Sequence, residues 1–437
     1  MARAKKEAAL TPEERLHAAL VPDWEWPYKL PENWCWVYVP HIFDIEYGKG
    51  LPTKQLSDTG YPVFGANGQI GFYSEYMYKE PQALMSCRGA YSGTMNKSLP
   101  YSYVTSNSLI ISSPRGLMGT DCIYYLFSAL NVSELISGTA QPQVTVQAFD
   151  GFPIPLSPLA EQQRIVDRIE SLFAKLDEAK EKAQAVVDSF ETRKAAILHK
   201  AFTGELTAKW REEHGVRMES WEKKSVGELC ISLKYGTAKK SDASGNVVVL
   251  RMGNLQQGEI DWSDLAYSND PDDIEKYKLF PGDVLFNRTN SAALVGKTAI
   301  YRGEHPAIYA GYLIKLDYDH DKIIGDYLNY ALNTLDAKKY CNSVKTDGVN
   351  QSNINAKKIG AYSFNVPSIP EQEKIVSVIQ KLLSKEQQSK EAAEAVLDQI
   401  NLMKKSILAR AFRGELGTND PSEESAMELL KKVFQKE

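Results

Sequence analysis

Residues 158–166, Pro158-Leu159-Ala160-Glu161-Gln162-Gln163-Arg164-Ile165-Val166, return 210 positions later as Ser368-Ile369-Pro370-Glu371-Gln372-Glu373-Lys374-Ile375-Val376. The far end of the segment keeps the same offset: Ala196-Ile197-Leu198-His199-Lys200-Ala201-Phe202-Thr203-Gly204-Glu205-Leu206 is matched by Ser406-Ile407-Leu408-Ala409-Arg410-Ala411-Phe412-Arg413-Gly414-Glu415-Leu416. A long internal repeat outranks any local reading, because it says that one architectural unit is carried twice. The length is held without a gap while the interior drifts. A rod of fixed length has that signature, since an insertion would change its reach and a surface substitution would not.

Between those anchors the apolar residues alternate three and four apart: Ile169, Leu172, Leu176, Ala179, Ala183, Val186, Phe190, a break at Arg193, then Ile197. This is the seam of a coiled coil over about four heptads. At the 210 offset the second copy reads Ile379, Leu382, Glu386, Ser389, Ala393, Val396, Ile400, Met403 and Ile407, with polar defects at Glu386 and Ser389. Gly204 and Gly414 stand where a helix-terminating glycine is expected. Two readings follow: the helices pair with each other, or each is buried separately in its own domain.

Upstream of each helix lies a second repeated unit, in which aromatic and β-branched runs alternate with Gly, Asn, Pro and Ser, as short strands and tight turns do. Trp34 answers Trp221, and Tyr47-Gly48 answers Tyr235-Gly236. Tyr61-Pro62-Val63-Phe64-Gly65-Ala66-Asn67 precedes Val248-Val249-Leu250-Arg251-Met252-Gly253-Asn254 by 187 positions. Each is followed by an apolar run ending in an arginine, Leu84-Met85-Ser86-Cys87-Arg88-Gly89 and Val284-Leu285-Phe286-Asn287-Arg288-Thr289. Gly138-Thr139-Ala140-Gln141-Pro142-Gln143-Val144 then corresponds to Gly348-Val349-Asn350-Gln351-Ser352-Asn353-Ile354. The globular part therefore varies in length where the helix does not.

The fold class expected is α+β, with two β-rich domains, two long helices forming an antiparallel coiled coil, and a pseudo-two-fold internal repeat. The boundaries read as an N-terminal extension with a short helix over 1–22, a first globular domain over 23–158, and a first helix and linker over 159–218. A second globular domain covers 219–369, and a second helix with its tail covers 370–437. The seam is assigned to Ile169, Leu172, Leu176, Val186, Phe190 and Ile197 in the first helix, and to Ile379, Leu382, Val396, Ile400 and Ile407 in the second.

Composition limits function. At 437 residues the chain is too long for one small domain, and 43% hydrophobic against 24% charged residues is ordinary globular material. With 51 Lys+Arg against 56 Asp+Glu, the net charge of −5 gives no bulk attraction to a polyanion, so nucleic-acid binding would need local patches or a partner's charge. Five scattered cysteines and no CxxC argue against a disulfide framework or zinc knuckle. The N-terminal stretch shows no apolar signal region, and no run of about 18 apolar residues occurs, so a cytoplasmic protein without a membrane span is expected.

Signatures of catalysis are not found. The sequence has no GxxxxGK[ST] loop, GxGxxG turn or GxSxG elbow, and its six histidines form no HExxH or helical pair. It lacks the Asn/Asp-Pro-Pro-Tyr tetrapeptide with which amino-methyltransferases hold a flipped adenine. The acidic pair Asp272-Asp273 sits in an Asn-Asp-Pro-Asp-Asp setting that reads as a solvated turn.

Variable globular unit, fixed helix, variable globular unit, fixed helix, with Pro-Leu-Ala-Glu-Gln-Gln-Arg-Ile-Val and Ala-Phe-Thr-Gly-Glu-Leu at the helix ends, closely resembles the DNA specificity subunit of type I restriction-modification systems. The resemblance spans nearly the whole chain and includes Thr11-Pro12-Glu13-Glu14-Arg15-Leu16, Leu206-Thr207-Ala208-Lys209-Trp210-Arg211 and Asn419-Asp420-Pro421-Ser422. It implies that each globular unit is a target recognition domain for one half of a bipartite, asymmetric target in double-stranded DNA, and that the paired helices are the ruler between halves. It also implies a non-catalytic chain holding no cofactor or metal. S-adenosylmethionine and ATP with magnesium would belong to partners, namely two modification (methyltransferase) subunits and the restriction subunits. Two domains related by a pseudo-two-fold axis can present one face to the inverted strands of a duplex. A helix over about 159–202 is roughly 65 Å long at 1.5 Å per residue.

On that reading the candidates for DNA contact are Asn67, Gln69, Arg88, Tyr91, Asn96 and Lys97 in the first domain. In the second they are Arg251, Asn254, Arg288, Asn290, Lys297, Lys345, Asn350, Gln351 and Asn353. Arginine can be bidentate to guanine and Asn or Gln to adenine, whereas the lysines suit phosphates. Asn beside Gly also makes turns, and Gln141 and Gln351, near the helix junctions, have a structural alternative. Two rivals stand beside this function. One is a coiled-coil scaffold whose β-rich domains bind protein or ligand rather than DNA; the other is a self-sufficient nuclease or methyltransferase.

Overall fold

The structure, a computed structural model, describes residues 11–349 and 351–436. It divides into two compact units, Met1–Ala183 with Ala395–Glu437, and Gln184–Glu394. Each contains a globular β-rich part and a length of both long helices.

In the first unit the four-stranded antiparallel sheet runs in the order Asp44–Tyr47, Ser108–Ser112, Ala83–Ser86, Met95–Lys97. The two inner strands are near-continuous apolar runs, as burial on both faces requires. Leu84, Met85, Leu109, Ile110 and Ile111 are all buried. A three-stranded sheet has Tyr61–Gly65 at its centre, antiparallel to Gly68–Tyr73 and parallel to Tyr103–Val104. In the second unit the corresponding sheets run Cys230–Tyr235, Leu313–Tyr318, Val284–Asn287, Thr298–Ile300, and Tyr267–Ser268, Val247–Leu250, Ala307–Tyr309, the last pair again parallel. Strands on either side of each globular part close it: Cys35–Tyr38 pairs with Pro153–Leu156, and Glu222–Ser225 with Ser363–Val366. Sequences that share little identity thus build one topology twice.

The first long helix spans Leu159–Asp188 and, after a break at Ser189, Phe190–Phe202; the second is the continuous Ile369–Ala411. Gly204 and Gly414 follow them at φ +81° and +74°, the left-handed conformation that terminates a helix most easily without a Cβ. In the first unit Ile165, Val166 and Ile169 share a core with Leu408, Ala411 and Phe412, while Lys404 Nζ reaches Asp177 at 2.5 Å and lies over the Phe173 ring. In the second unit Leu198 and Ala201 share a core with Ile375 and Ile379, and Lys390 lies over Phe190. Residue numbers rise along one helix as they fall along the other in both units, so the pairing is antiparallel. Separate burial of each helix is excluded.

The seam differs from the sequence expectation in two places. Ile169, Phe190, Ile379 and Ile400 are buried, and Leu172, Leu176, Val186, Ile197, Leu382 and Ile407 are half-buried. Val396, however, is 40% exposed, and Met403 is 50% exposed. The second helix instead turns Ala393, Leu397, Ile400 and Lys404 inward. Lys404 takes a seam position because its ammonium lies over the Phe173 ring, 4.9 Å from its centre, and meets Asp177, a role an apolar count overlooks. The second difference joins two apparent faults: Arg193, a break in one helix, donates to Glu386, a defect in the other, at 2.5 Å. Arg193 also donates to Ser189 Oγ and to the Val186 carbonyl, exposed where the helix breaks.

The Glu-Gln dipeptide of the repeat is a clamp. Glu161 is fully buried and accepts hydrogen bonds from Trp34 Nε1 (2.7 Å), Asn419 Nδ2 (2.8 Å) and Thr418 Oγ1 (3.2 Å). Glu371, also fully buried, accepts from Trp221 Nε1 (2.9 Å), Thr207 Oγ1 (2.8 Å) and Arg211 Nη1 (2.7 Å). Each glutamate opens one helix and holds the segment that follows the end of the other, together with the tryptophan that opens its own domain. Gln162 and Gln372 secure the same junctions by donating to the carbonyls of Leu117 and Ser157, and of Lys322 and Pro367.

Candidate nucleic-acid interface

The two globular parts can be matched by their strand pairing alone, and the fixed point is the Tyr-Gly dipeptide. Tyr47 faces Leu109 across its strand pair and Tyr235 faces Ile314. A Cβ on Gly48 would meet the Thr105 carbonyl oxygen at 2.3 Å, and one on Gly236 that of Tyr309 at 2.1 Å, so only glycine lets the chain cross there. Both tyrosines are 41% exposed.

In that frame Met85 pairs with Leu109 and Phe286 with Ile314, so Met85 is the counterpart of Phe286. Two residues on, Cys87 matches Arg288, and Arg88 then matches Thr289. The arginine loops, aligned residue for residue in the sequence, are one position out of step. Because side chains alternate along an extended chain, that single step turns the two arginines to different faces. Cys87 is buried with its thiol pushed up by desolvation, while Arg288 is half-buried.

In the first domain Arg88 is exposed and has no hydrogen-bond acceptor for its guanidinium among the described residues. Its backbone bridges to Gln143, and the turn Gly89–Tyr91 is tied to the Pro142 carbonyl by Gly89 N and Ser92 Oγ. Tyr91 is 48% exposed on that turn. Asn67 and Gln69 are exposed on the hairpin between Tyr61–Gly65 and Gly68–Tyr73. That hairpin is fastened to the same strand end, since Ser86 Oγ donates to the Ala66 carbonyl and receives Asn96 Nδ2 at 3.4 Å. Arg88, Asn67 and Asn96 are thereby brought to one edge. Lys97 is paired with Asp121 at 2.7 Å.

The second domain places its candidates less uniformly. Asn254 is 3% exposed; its amide donates to the Asp261 and Asp264 carbonyls and its oxygen accepts from Arg251 N, so it is a turn-holding residue and cannot reach a base. Arg251 pairs with Asp264 at 3.0 Å. Lys297 donates to Gln256 and Lys345 pairs with Asp347. Asn353 donates to Thr289 Oγ1, Asn290 is half-buried, Gln351 is exposed, and Asn350 lies outside the described residues. Arg288 stands apart: its guanidinium lies 4.7 Å from the centre of the Tyr235 ring, its Nη1 donates to the Gly311 carbonyl at 3.3 Å, and its Nε is buried without a partner among the described residues. Tyr235 and the 49%-exposed Tyr312 flank it, and neither was among the sequence candidates. The signal for Tyr235 was its repeat partner Tyr47.

Among the described residues no group of three or more His, Cys, Asp or Glu is placed to hold a metal ion, and no helix is long and apolar enough to cross a membrane.

Comparison with known proteins agrees with this architecture. The family described as type I restriction modification DNA specificity domain matches twice, over residues 31–187 and 218–396. The chain is 25% identical over 419 residues to the type I restriction enzyme StySPI specificity subunit of Salmonella potsdam, covering 89% of this chain and 90% of the relative. It is also 25% identical to the EcoKI specificity subunit of Escherichia coli K12, covering 93% and 96%. The fold is shared with a chain solved in a study of complex assembly and conformational transition of the type I R-M system, at a TM-score of 0.67 and 19% identity over 89% of this chain and all of that one. It is shared as well with the HsdS subunit from Thermoanaerobacter tengcongensis, at 0.57 and 20% over 90% and 100%. With two family domains laid over the two halves of the repeat, the chain belongs to the type I restriction-modification DNA specificity family.

Proposed function

We propose that the chain is the sequence-reading subunit of a type I restriction-modification complex and that each domain reads one half of a bipartite, asymmetric DNA target. The observation that carries this reading is one strand topology built twice with different residues at the same strand end, Cys87-Arg88 in one domain and Arg288-Thr289 in the other. Identical domains would serve a palindrome; these serve two unlike half-sites. The chain itself contributes recognition and assembly. Methyl transfer from S-adenosylmethionine falls to two modification subunits and ATP-driven cleavage to restriction subunits docked on it, with all of them working in the cytoplasm. The paired helices, held at both ends by Glu161 and Glu371, set the spacer between half-sites.

The test is methylation of a plasmid library with randomised inserts by the chain co-expressed with its modification subunits, read by methylation-aware sequencing. Two half-sites of unlike sequence at a fixed spacing are expected, and Arg88→Ala should relax one of them alone. A scaffold that does not read DNA would select no sequence, and that result would refute the reading.

A further inference from the structure

Arg288 is prepared for a ligand in a way that Arg88 is not. Its backbone is fixed on both sides: Arg288 N donates to the Tyr312 carbonyl at 3.0 Å, and its own carbonyl receives Ile354 N at 2.8 Å. Its guanidinium rests on the Tyr235 ring at 4.7 Å. That ring is itself anchored, because the Tyr235 hydroxyl accepts from Ala356 N at 3.0 Å, at the first turn of the helix Ala356–Gly360. Nη1 has one long bond to Gly311, Nη2 has no acceptor among the described residues, and no carboxylate pairs with the group. A planar cation held against an aromatic face loses rotamer freedom before any ligand arrives, while its donor edge stays unspent. Among the arginines named for this domain, Arg251 is instead paired with Asp264.

Resting on the function proposed above, we infer that Arg288 reads a guanine in the half-site taken by the second domain, and that Tyr235 is the positioning residue that aims it. A fork of two parallel N–H donors matches guanine O6 and N7, the commonest specific contact in the major groove. In the first domain Cys87 occupies the equivalent place and Tyr47 carries no arginine. The guanine is therefore a property of one half-site and has no counterpart at the pseudo-symmetric position of the other.

The experiment is methylation by the complete complex, with its modification subunits, of plasmids carrying the target and every single-base change in it. Arg288→Ala should reduce discrimination by roughly 5- to 150-fold at one guanine of one half-site and leave the other half-site unchanged. Arg288→Lys keeps the charge and loses the fork, so discrimination at that base should fall while the salt dependence of binding stays as in the parent. Tyr235→Ala should relax the same base, and Tyr235→Phe, which keeps the ring, should restore most of its selectivity. Uniform loss over all sequences on Arg288→Ala would mark a phosphate contact and overturn the assignment, although the parent would still select two half-sites. Relaxation at an adenine or thymine, or in the other half-site, would overturn it too, as would Arg288→Lys behaving as the parent. Full selectivity in Tyr235→Ala would remove Tyr235 from the role. A parent complex that selects no sequence refutes the underlying function and this inference together.

Discussion

Replacing Glu371 by glutamine changes neither shape nor volume, so what it costs is electrostatic. In the parent, Glu371 is fully buried and its two oxygens take the Arg211 guanidinium at 2.7 Å, Thr207 at 2.8 Å and Trp221 at 2.9 Å. Arg211 is only 11% exposed at its side chain and so has no water to turn to. Glutamine leaves that cation uncompensated, which costs about 3–5 kcal/mol when one partner of a buried pair is removed. It also sets an NH2 group against one of the three donors. For a unit of residues 184–394 this corresponds to a fall of roughly 6–20 °C in Tm. The matched replacement at Glu161 should cost less, about 1–3 kcal/mol, because Trp34, Asn419 and Thr418 are neutral donors and only the charge-assisted part of their bonds is lost. Pairing Glu371→Gln with Arg211→Met removes both charges and should recover most of the deficit. The assay is amide hydrogen exchange on the full chain, with peptides assigned to each unit, beside thermal unfolding. Equal loss for the two glutamates, or a double variant no more stable than Glu371→Gln, would refute the reasoning.

Three further outcomes are expected. Ile400→Ala should destabilise the first unit by about 2–4 kcal/mol, since a buried seam residue is removed, whereas Val396→Ala, on the exposed side, should cost under about 1 kcal/mol; urea denaturation separates them. Deleting 176–182 together with the stretch opposite, 398–404, removes whole layers of the helix pair along with the Asp177–Lys404 bridge. At 1.5 Å per residue and about 3.4 Å per base pair, the preferred spacer should shorten by roughly three base pairs with half-sites unchanged, scored by methylation of plasmids with graded spacers. Arg164 grips Glu423 through both nitrogens at 2.7 and 2.8 Å and holds its carboxyl below the usual 4.5. Its folded-state pKa being depressed, the added stability is present at neutral pH and disappears as pH falls below about 4.5 through the folded value, so the gap in Tm between the parent and Glu423→Gln should close in acid.

What could be read from the residues was whatever local chemistry and spacing specify. The helix ends, the heptads and the tyrosine-glycine pair were legible because a terminating glycine, an apolar stripe and a chain crossing each leave a local mark. Trp34 and Trp221 were recognisable as equivalents; that both exist to donate to a buried glutamate of the repeat was not, because the partners lie 127 and 150 residues away. The register of the arginines was misjudged by one residue, since matching Arg88 to Arg288 by identity ignores which residue pairs across the sheet. Asn254 resembled a base reader because an amide in a loop looks the same whether its hydrogen bonds go outward or back into the turn. Arg193 and Glu386 resembled faults in two helices because charge complementarity between antiparallel strands of sequence is invisible to a fixed offset of 210. Positions matched by the repeat are not positions that face each other.

The division of the chain also orders its synthesis. The second unit is one uninterrupted stretch, Gln184–Glu394, and has everything it needs once that stretch has been made. The first is begun and then left open: Ile165, Val166 and Ile169 wait for Leu408, Ala411 and Phe412, and Ala19 for Leu430 and Phe434. At about 5–20 residues per second the ribosome needs roughly 12–50 s to supply the missing pieces. Throughout that interval the first half of the newborn chain carries an apolar face with no native cover, which chaperones would meet there.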